Sequence, residues 1–146
     1  MINLIVNSKT NKHIDYIYRI IFELGLDKYE ADLEIIFKKK CDNGMAGYCY
    51  GDNELVIIEI ASQDDMSKFS TKQKMLHLAH EMVHAKQLIT GELQSTRETK
   101  LAIGDQVFNI SFTLWKGETF INTPYDDQPW EHEAYAMELS ISNLYK

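Results

Sequence analysis

The sequence predicts a single α+β domain over residues 1–146, on three observations. Helix-like and strand-like segments alternate in the order helix, hairpin, helix, hairpin, helix. The two hairpins predict a small, mostly antiparallel sheet. A chain of 146 residues with 45% apolar content can bury one core and is too apolar for global disorder.

Residues 1–7 read as a strand, because they lack both the basic start and the long apolar stretch of a signal peptide. Residues 11–24 carry Ile14, Ile17, Tyr18, Ile21 and Leu24 at helical spacing, with Gly25 as the stop. Residues 33–37 form a short apolar strand. Residues 45–50 and 54–61 are strand-like, and Gly51-Asp52-Asn53 predicts the turn between them. The run 54–61 is apolar on both faces, so it is expected to be covered in part on both sides. It is also a candidate edge for pairing with an extended peptide.

Residues 71–90 hold no Gly or Pro. Met75, Leu78, Ala79, Met82, Val83 and Ile89 make an apolar stripe, Ser70 and Gln73 suit a capping box, and Gly91 suits a stop. Residues 92–100 are polar and read as an exposed helix or loop. Residues 107–115 and 118–121 predict a second hairpin around Lys116-Gly117. Pro124 and Pro129 bracket a loop, and Pro129 opens a last helix to about residue 145.

The second predicted helix, 71–90, contains His80-Glu81-Met82-Val83-His84, an H-E-x-x-H pattern. Residues four apart lie on one helical face, so His80 and His84 can aim two imidazoles at one point. Glu81 is rotated by about 100° and borders that point. The arrangement suits Zn²⁺ with a carboxylate base beside the water it activates. A catalytic zinc takes a third protein ligand and keeps one open position. His77 borders the same face but cannot easily close a tetrahedron with His80 and His84. His13 lies on the first helix, without a partner pattern, and is expected at the surface. On the last helix Trp130, Ala134, Met137, Ile141 and Leu144 define the apolar stripe, and Glu131 and Glu133 flank it on opposite margins. Periodicity leaves both open and slightly favours Glu133 as the more buried. Trp115 and Trp130 are expected in the core.

The formal charge of −7 argues against strong nucleic-acid binding, and the run Lys38-Lys39-Lys40 is expected to be solvated. No apolar run is long enough to span a membrane, which leaves a cytoplasmic location as the default. Cys41 and Cys49 could meet across a hairpin, but two cysteines make no framework, and free thiols are expected.

The segments Leu78-Ala79-His80-Glu81-Met82-Val83-His84-Ala85-Lys86-Gln87, Leu114-Trp115-Lys116-Gly117, Tyr125 and Pro129-Trp130-Glu131-His132-Glu133-Ala134-Tyr135 together resemble the small SprT-like zinc metallopeptidases of phage and bacterial genomes. The resemblance covers about half the chain, roughly residues 72–137. It implies a zincin-like fold, with a twisted sheet packed on the metal-binding helix and a later helix supplying the third ligand. In the wider group that ligand is commonly a Glu followed three positions on by a small residue, which favours Glu131 with Ala134. It implies Zn²⁺ as cofactor, a peptide or protein substrate, Glu81 as general base and Tyr125 as a candidate donor to the oxyanion. The third His and the Cys-rich ribbon of the DNA-repair members are missing, so that activity does not carry over. Two other expectations stand beside this one: a non-catalytic zinc-binding scaffold, such as a phage accessory protein, and an interaction module with a coincidental H-E-x-x-H.

Overall fold

The computed structural model describes residues 1–146 apart from the side chains of Ser95 and Thr96. Strand β1 (Ile2–Val6) is followed by helix α1 (Asn11–Glu23), a short 3-10 turn (Leu26–Lys28) and strand β2 (Ala31–Lys38). Strands β3 (Gly47–Gly51) and β4 (Leu55–Ala61) come next, then helix α2 (Thr71–Ile89). Strands β5 (Leu93–Ile103), β6 (Gln106–Trp115) and β7 (Glu118–Ile121) lead through a second 3-10 turn (Tyr125–Asp127) to helix α3 (Pro129–Ser142).

The strands form two sheets, one in the order β1-β2-β4-β3 and one in the order β5-β6-β7. This corrects the expectation of a mostly antiparallel sheet. In the larger sheet β1 pairs with β2, and β2 with β4, in parallel; only β3 and β4 are antiparallel. The crossover through α1 makes β1 and β2 parallel; β2 and β4 are parallel because the chain returns along the antiparallel edge strand β3, which lies between them in sequence. The second sheet is wholly antiparallel.

Register shows which face of the larger sheet is buried. Ile2, Leu4 and Val6 lie opposite Ala31, Leu33 and Ile35; Leu33, Ile35 and Phe37 lie opposite Val56, Ile58 and Ile60. These side chains share one face. Most are buried in one core with Ile17, Ile20 and Ile21 of α1, Met75, Leu78, Met82 and Val83 of α2, and Ala134 and Ile141 of α3. Gly47, Cys49 and Gly51 fall on that same face, opposite Ile60, Ile58 and Val56. The glycines therefore leave a shallow trough between β3 and α2.

In α1 the buried side is Tyr16, Ile17, Ile20 and Ile21, whereas Tyr18, expected in the stripe, is exposed. Tyr16 goes inward because its hydroxyl has a partner there, donating to the Met75 carbonyl oxygen at 2.8 Å. The capping box of α2 is present: Ser70 Oγ accepts from the Gln73 N–H at 3.1 Å, and Gln73 Oε1 accepts from the Ser70 N–H at 2.7 Å. Gly91 ends that helix at φ 80°.

Strand β4 is interior, between β2 and β3, and is not the free edge proposed for residues 54–61. The free edge on that side is β3. The outer face of β4 is covered only in part: Glu59 and Ala61 are buried, but Leu55 is exposed. Glu59 is held there by the loop before β3, its Oε1 accepting from the Asp42 N–H at 2.8 Å and its Oε2 from Tyr50 Oη at 3.3 Å. Lys38 and Lys40 of the basic run are paired with Asp42 and Asp65.

Residues 93–103 form a strand, where an exposed helix or loop was expected for 92–100. They pair with β6 in a long ribbon whose outer part is exposed on both faces, and the polar run 94–100 hides the strand period in β5. The base of the second sheet rests on α3: Trp115 and Phe120 meet Trp130 at ring-centroid distances of 6.3 and 5.5 Å. Both tryptophans are buried, and both cysteines are free thiols. None of the helices is long and apolar enough to cross a membrane, among the described residues.

Candidate metal centre

Helical period and two packed helices build this site. His80 and His84 project from α2 one turn apart, and α3 brings Glu131 across from them. One nitrogen of each His and one Glu131 oxygen lie within 4.8 Å of one another. His80 Nε2 is 3.0 Å from Glu131 Oε1, and His84 Nε2 is 2.9 Å from Glu131 Oε2. Glu131, not Glu133, is the carboxylate brought to the His pair. Its side chain is 13% exposed against 22% for Glu133, the reverse of the order periodicity favoured. Glu133 instead faces Lys86 at 3.4 Å, Lys116 at 3.9 Å and the Gln87 amide at 3.2 Å. It ties α3 to the end of α2 and to the β6–β7 turn.

The remaining ring nitrogens are also engaged. His80 Nδ1 lies 2.8 Å from Glu138 Oε2, and His84 Nδ1 lies 2.8 Å from Gln87 Oε1. The Gln87 amide nitrogen donates to the Trp130 carbonyl at 2.9 Å, which turns its oxygen toward His84. Each Nδ1 thus faces an acceptor to which it can donate, so Nε2 is the atom that could coordinate an ion.

This arrangement tests whether a cation fits. Both rings have oxygen acceptors on both nitrogens, so without an ion each must carry two protons to satisfy them. Burial alone would lower the pKa of His80 and His84, but hydrogen bonds to Glu131 and its charge outweigh burial and raise both. Burial alone would raise Glu131; the bonds from His80 and His84 hold it well below the usual carboxylate range. One divalent cation can replace the two Nε2 protons without changing the charge. The 3.0 and 2.9 Å gaps run to different oxygens, Oε1 and Oε2, so the Glu131 carboxylate spans the two rings. The donor set of two imidazoles and one carboxylate could therefore hold a metal ion.

Glu81 sits beside the group, buried, with its carboxylate toward Gly47. Burial pushes its pKa up to about 6, against the opposing pull of His84 and His80. Tyr125 is 49% exposed, and its hydroxyl donates to Glu131 Oε1 at 3.0 Å and meets Tyr135 Oη at 2.9 Å. Burial, the Tyr135 hydroxyl and the Glu131 charge all raise the Tyr125 pKa, so the phenol keeps its proton.

The cleft over the group has a volume of about 500 Å³ and is bordered by Met45, Gly47, His77, Glu81, Tyr125 and Tyr135 among others. His77 lines it without joining the ligand cluster, and its Nδ1 is buried with no partner among the described residues. His13 lies elsewhere and is half-buried, against Phe37 and Tyr145 at 5.5 and 5.7 Å. It is less exposed than expected because the chain end folds over it. Sequence reasoning missed Gln87, Glu138, Tyr135 and Gly47. Glu131, Tyr135 and Glu138 stand at i, i+4 and i+7, a spacing that puts all three on one helical face.

Comparison with protein-family models, with curated proteins and with solved structures gives no significant match.

Proposed function

We propose that this chain is a zinc-dependent metallopeptidase of the SprT-like kind. One observation carries the reading: two Nδ1-anchored imidazoles and the Glu131 carboxylate converge on one point beside a buried, proton-hungry Glu81. His80, His84 and Glu131 would hold the ion. When bound, Zn²⁺ supplies Lewis acidity and brings the pKa of water from about 15.7 toward roughly 7.

The chain's own residues do the proton work. Glu81, raised toward neutrality by burial, accepts a proton from the attacking water and delivers it to the leaving amine nitrogen. Gln87 and Glu138 orient the imidazoles. Tyr125, held in its protonated form, would donate to the developing oxyanion once its hydroxyl turns from Glu131 Oε1. The free edge of β3 runs along the cleft and offers main-chain groups to an extended substrate segment.

The test is metal content and hydrolysis, measured together. Wild type should carry near-stoichiometric zinc and cleave unfolded casein. Glu81→Gln should keep the zinc and lose at least about a hundredfold in rate. A Glu81→Gln protein as active as wild type would exclude this mechanism. Zinc binding without any hydrolysis by wild type would leave a metal-binding scaffold instead.

A further inference from the structure

The β5–β6 ribbon carries an apolar face that the proposed chemistry does not use. Leu101 sits opposite Phe108, Thr99 opposite Ile110, and Arg97 opposite Phe112. Strand alternation places Leu101, Ile103, Phe108, Ile110 and Phe112 on one face, and Glu98, Lys100, Asn109 and Ser111 on the other. Ala102 and Val107 are the apolar exceptions on the polar side. Toward the tip the apolar face is open: Leu101 is 44% exposed, Phe108 45% and Ile103 61%.

This face leads into the cleft. At its base Phe112, Leu114, Leu88, Leu93 and Arg97 line a cavity of about 610 Å³. That cavity shares Leu88, Leu93 and Gln94 with a second, of about 330 Å³. The second in turn shares Cys49, His84 and Glu131 with the cleft over the metal group. One trough therefore runs from Glu81 along β3 to Arg97 and Phe112 at the base of the ribbon, where its apolar face begins.

We infer that the apolar face of the β5–β6 ribbon is a docking extension of the catalytic cleft, for extended, apolar segments of non-native polypeptide. The inference rests on the peptidase reading above. An extended chain presents side chains at every second position, which matches a pleated surface whose apolar residues recur with the same period. In folded proteins such alternating apolar side chains are buried, so unfolded segments are the class that displays them. Arg97, the one cation on this face, stands at the junction with the cleft and suits an acidic side chain or a carboxylate there. Eleven residues of β5 span roughly 35 Å, so a bound hexapeptide of about 20 Å centred on the metal group falls short of the tip.

The test uses zinc-loaded Glu81→Gln protein, which binds without turning over, and fluorescence anisotropy. The probes are a labelled peptide of about twenty residues with alternating apolar side chains and one of about six. Leu101→Ser with Phe108→Ser should weaken the long peptide by about tenfold or more and leave the short one unchanged. A long peptide with Ser at the apolar positions should bind the parent as weakly as the long peptide binds the variant. Lys100→Ser, on the opposite face, should change neither affinity. Equal affinity of the long peptide for parent and ribbon variant overturns the inference. So does no binding to the parent. So does a wild-type dimer in sedimentation that the variant converts to monomer, since a second copy then covers the face. Loss of hydrolysis in wild type alone would strike the peptidase reading and not the binding result.

Discussion

Gly47 makes room for Glu81. A Cβ built at position 47 would lie 2.9 Å from both Cγ and Oε1 of Glu81. Gly47 is not among the residues with positive φ, so the glycine answers to space and not to backbone conformation. The edge strand β3 is thus shaped around the proposed base.

Gly47→Ala should therefore act on Glu81 before it acts on the fold. The clashing atoms belong to the end of a flexible side chain, which can rotate away at small cost. Stability should change by less than about 1 kcal/mol, and zinc content should stay near wild type. The hydrolysis rate should fall by about tenfold or more, since a base out of reach of its proton loses its effect. Circular dichroism melting, metal analysis and casein cleavage check the three parts. Unchanged cleavage would separate Gly47 from the position of the base.

Glu131 and Glu133 differ in what they touch, and their variants should differ accordingly. Glu131→Gln removes the charge shared by His80 and His84. It should lose most of the zinc, and chelation should lower the melting temperature of wild type but not of this variant. Glu133→Gln weakens half-exposed pairs with Lys86 and Lys116, worth about 1 kcal/mol or less. It should keep the metal. The opposite pattern would move the ligand role to Glu133.

Glu138 Oε2 lies 2.8 Å from His80 Nδ1, while His80 Nε2 faces Glu131. Glu138→Ala should weaken zinc binding by about ten- to a hundredfold, the usual cost of removing such a partner. Competition with a chromophoric chelator measures it. An unchanged affinity would show that packing against Tyr135, 4.5 Å from the His80 ring centre, is enough to orient the imidazole.

These sites were unequally legible in the sequence. His80, Glu81 and His84 are readable because one helical period fixes their geometry. Glu131 lies on a margin of the α3 stripe, and periodicity ranks margins poorly when two helices cross close to them. Glu138 follows Glu131 by two turns and Gln87 follows His84 by one, but a lone carboxylate or amide on a helix is ordinarily solvated. Gly47 carries no local signal, since its constraint is a side chain from another element. The parallel pairing of β1 with β2 was present in the order strand, helix, strand, and two hairpin signals outweighed it. The strand β5 was hidden because residues 94–100 are all polar, although Gly104-Asp105 is itself a two-residue hairpin turn between Ile103 and Gln106.

Cys41 gives a prediction on pH. The thiol is buried and lies 3.4 Å from the Glu59 carbonyl oxygen, under the loop that carries Asn43 and Met45 to the cleft. Burial, then the charges of Glu59 and Glu81, push its pKa from 9.0 up to about 11. The thiol is an acid whose pKa is higher in the folded chain than in the unfolded one. Below pH 9 both states keep the proton, and the group adds no pH dependence. Between pH 9 and about 11 the unfolded chain ionises and the folded chain does not, so stability falls as pH rises. The slope is at most about 1.4 kcal/mol per pH unit, and it levels off once the folded thiol ionises as well. Urea unfolding of wild type should therefore steepen its decline with pH in this window relative to Cys41→Ala. Alkylation of Cys41 in the folded protein should stay slow until the same window is crossed. Parallel stability curves for the two proteins, or fast alkylation at neutral pH, would show that the loop does not bury the thiol in solution.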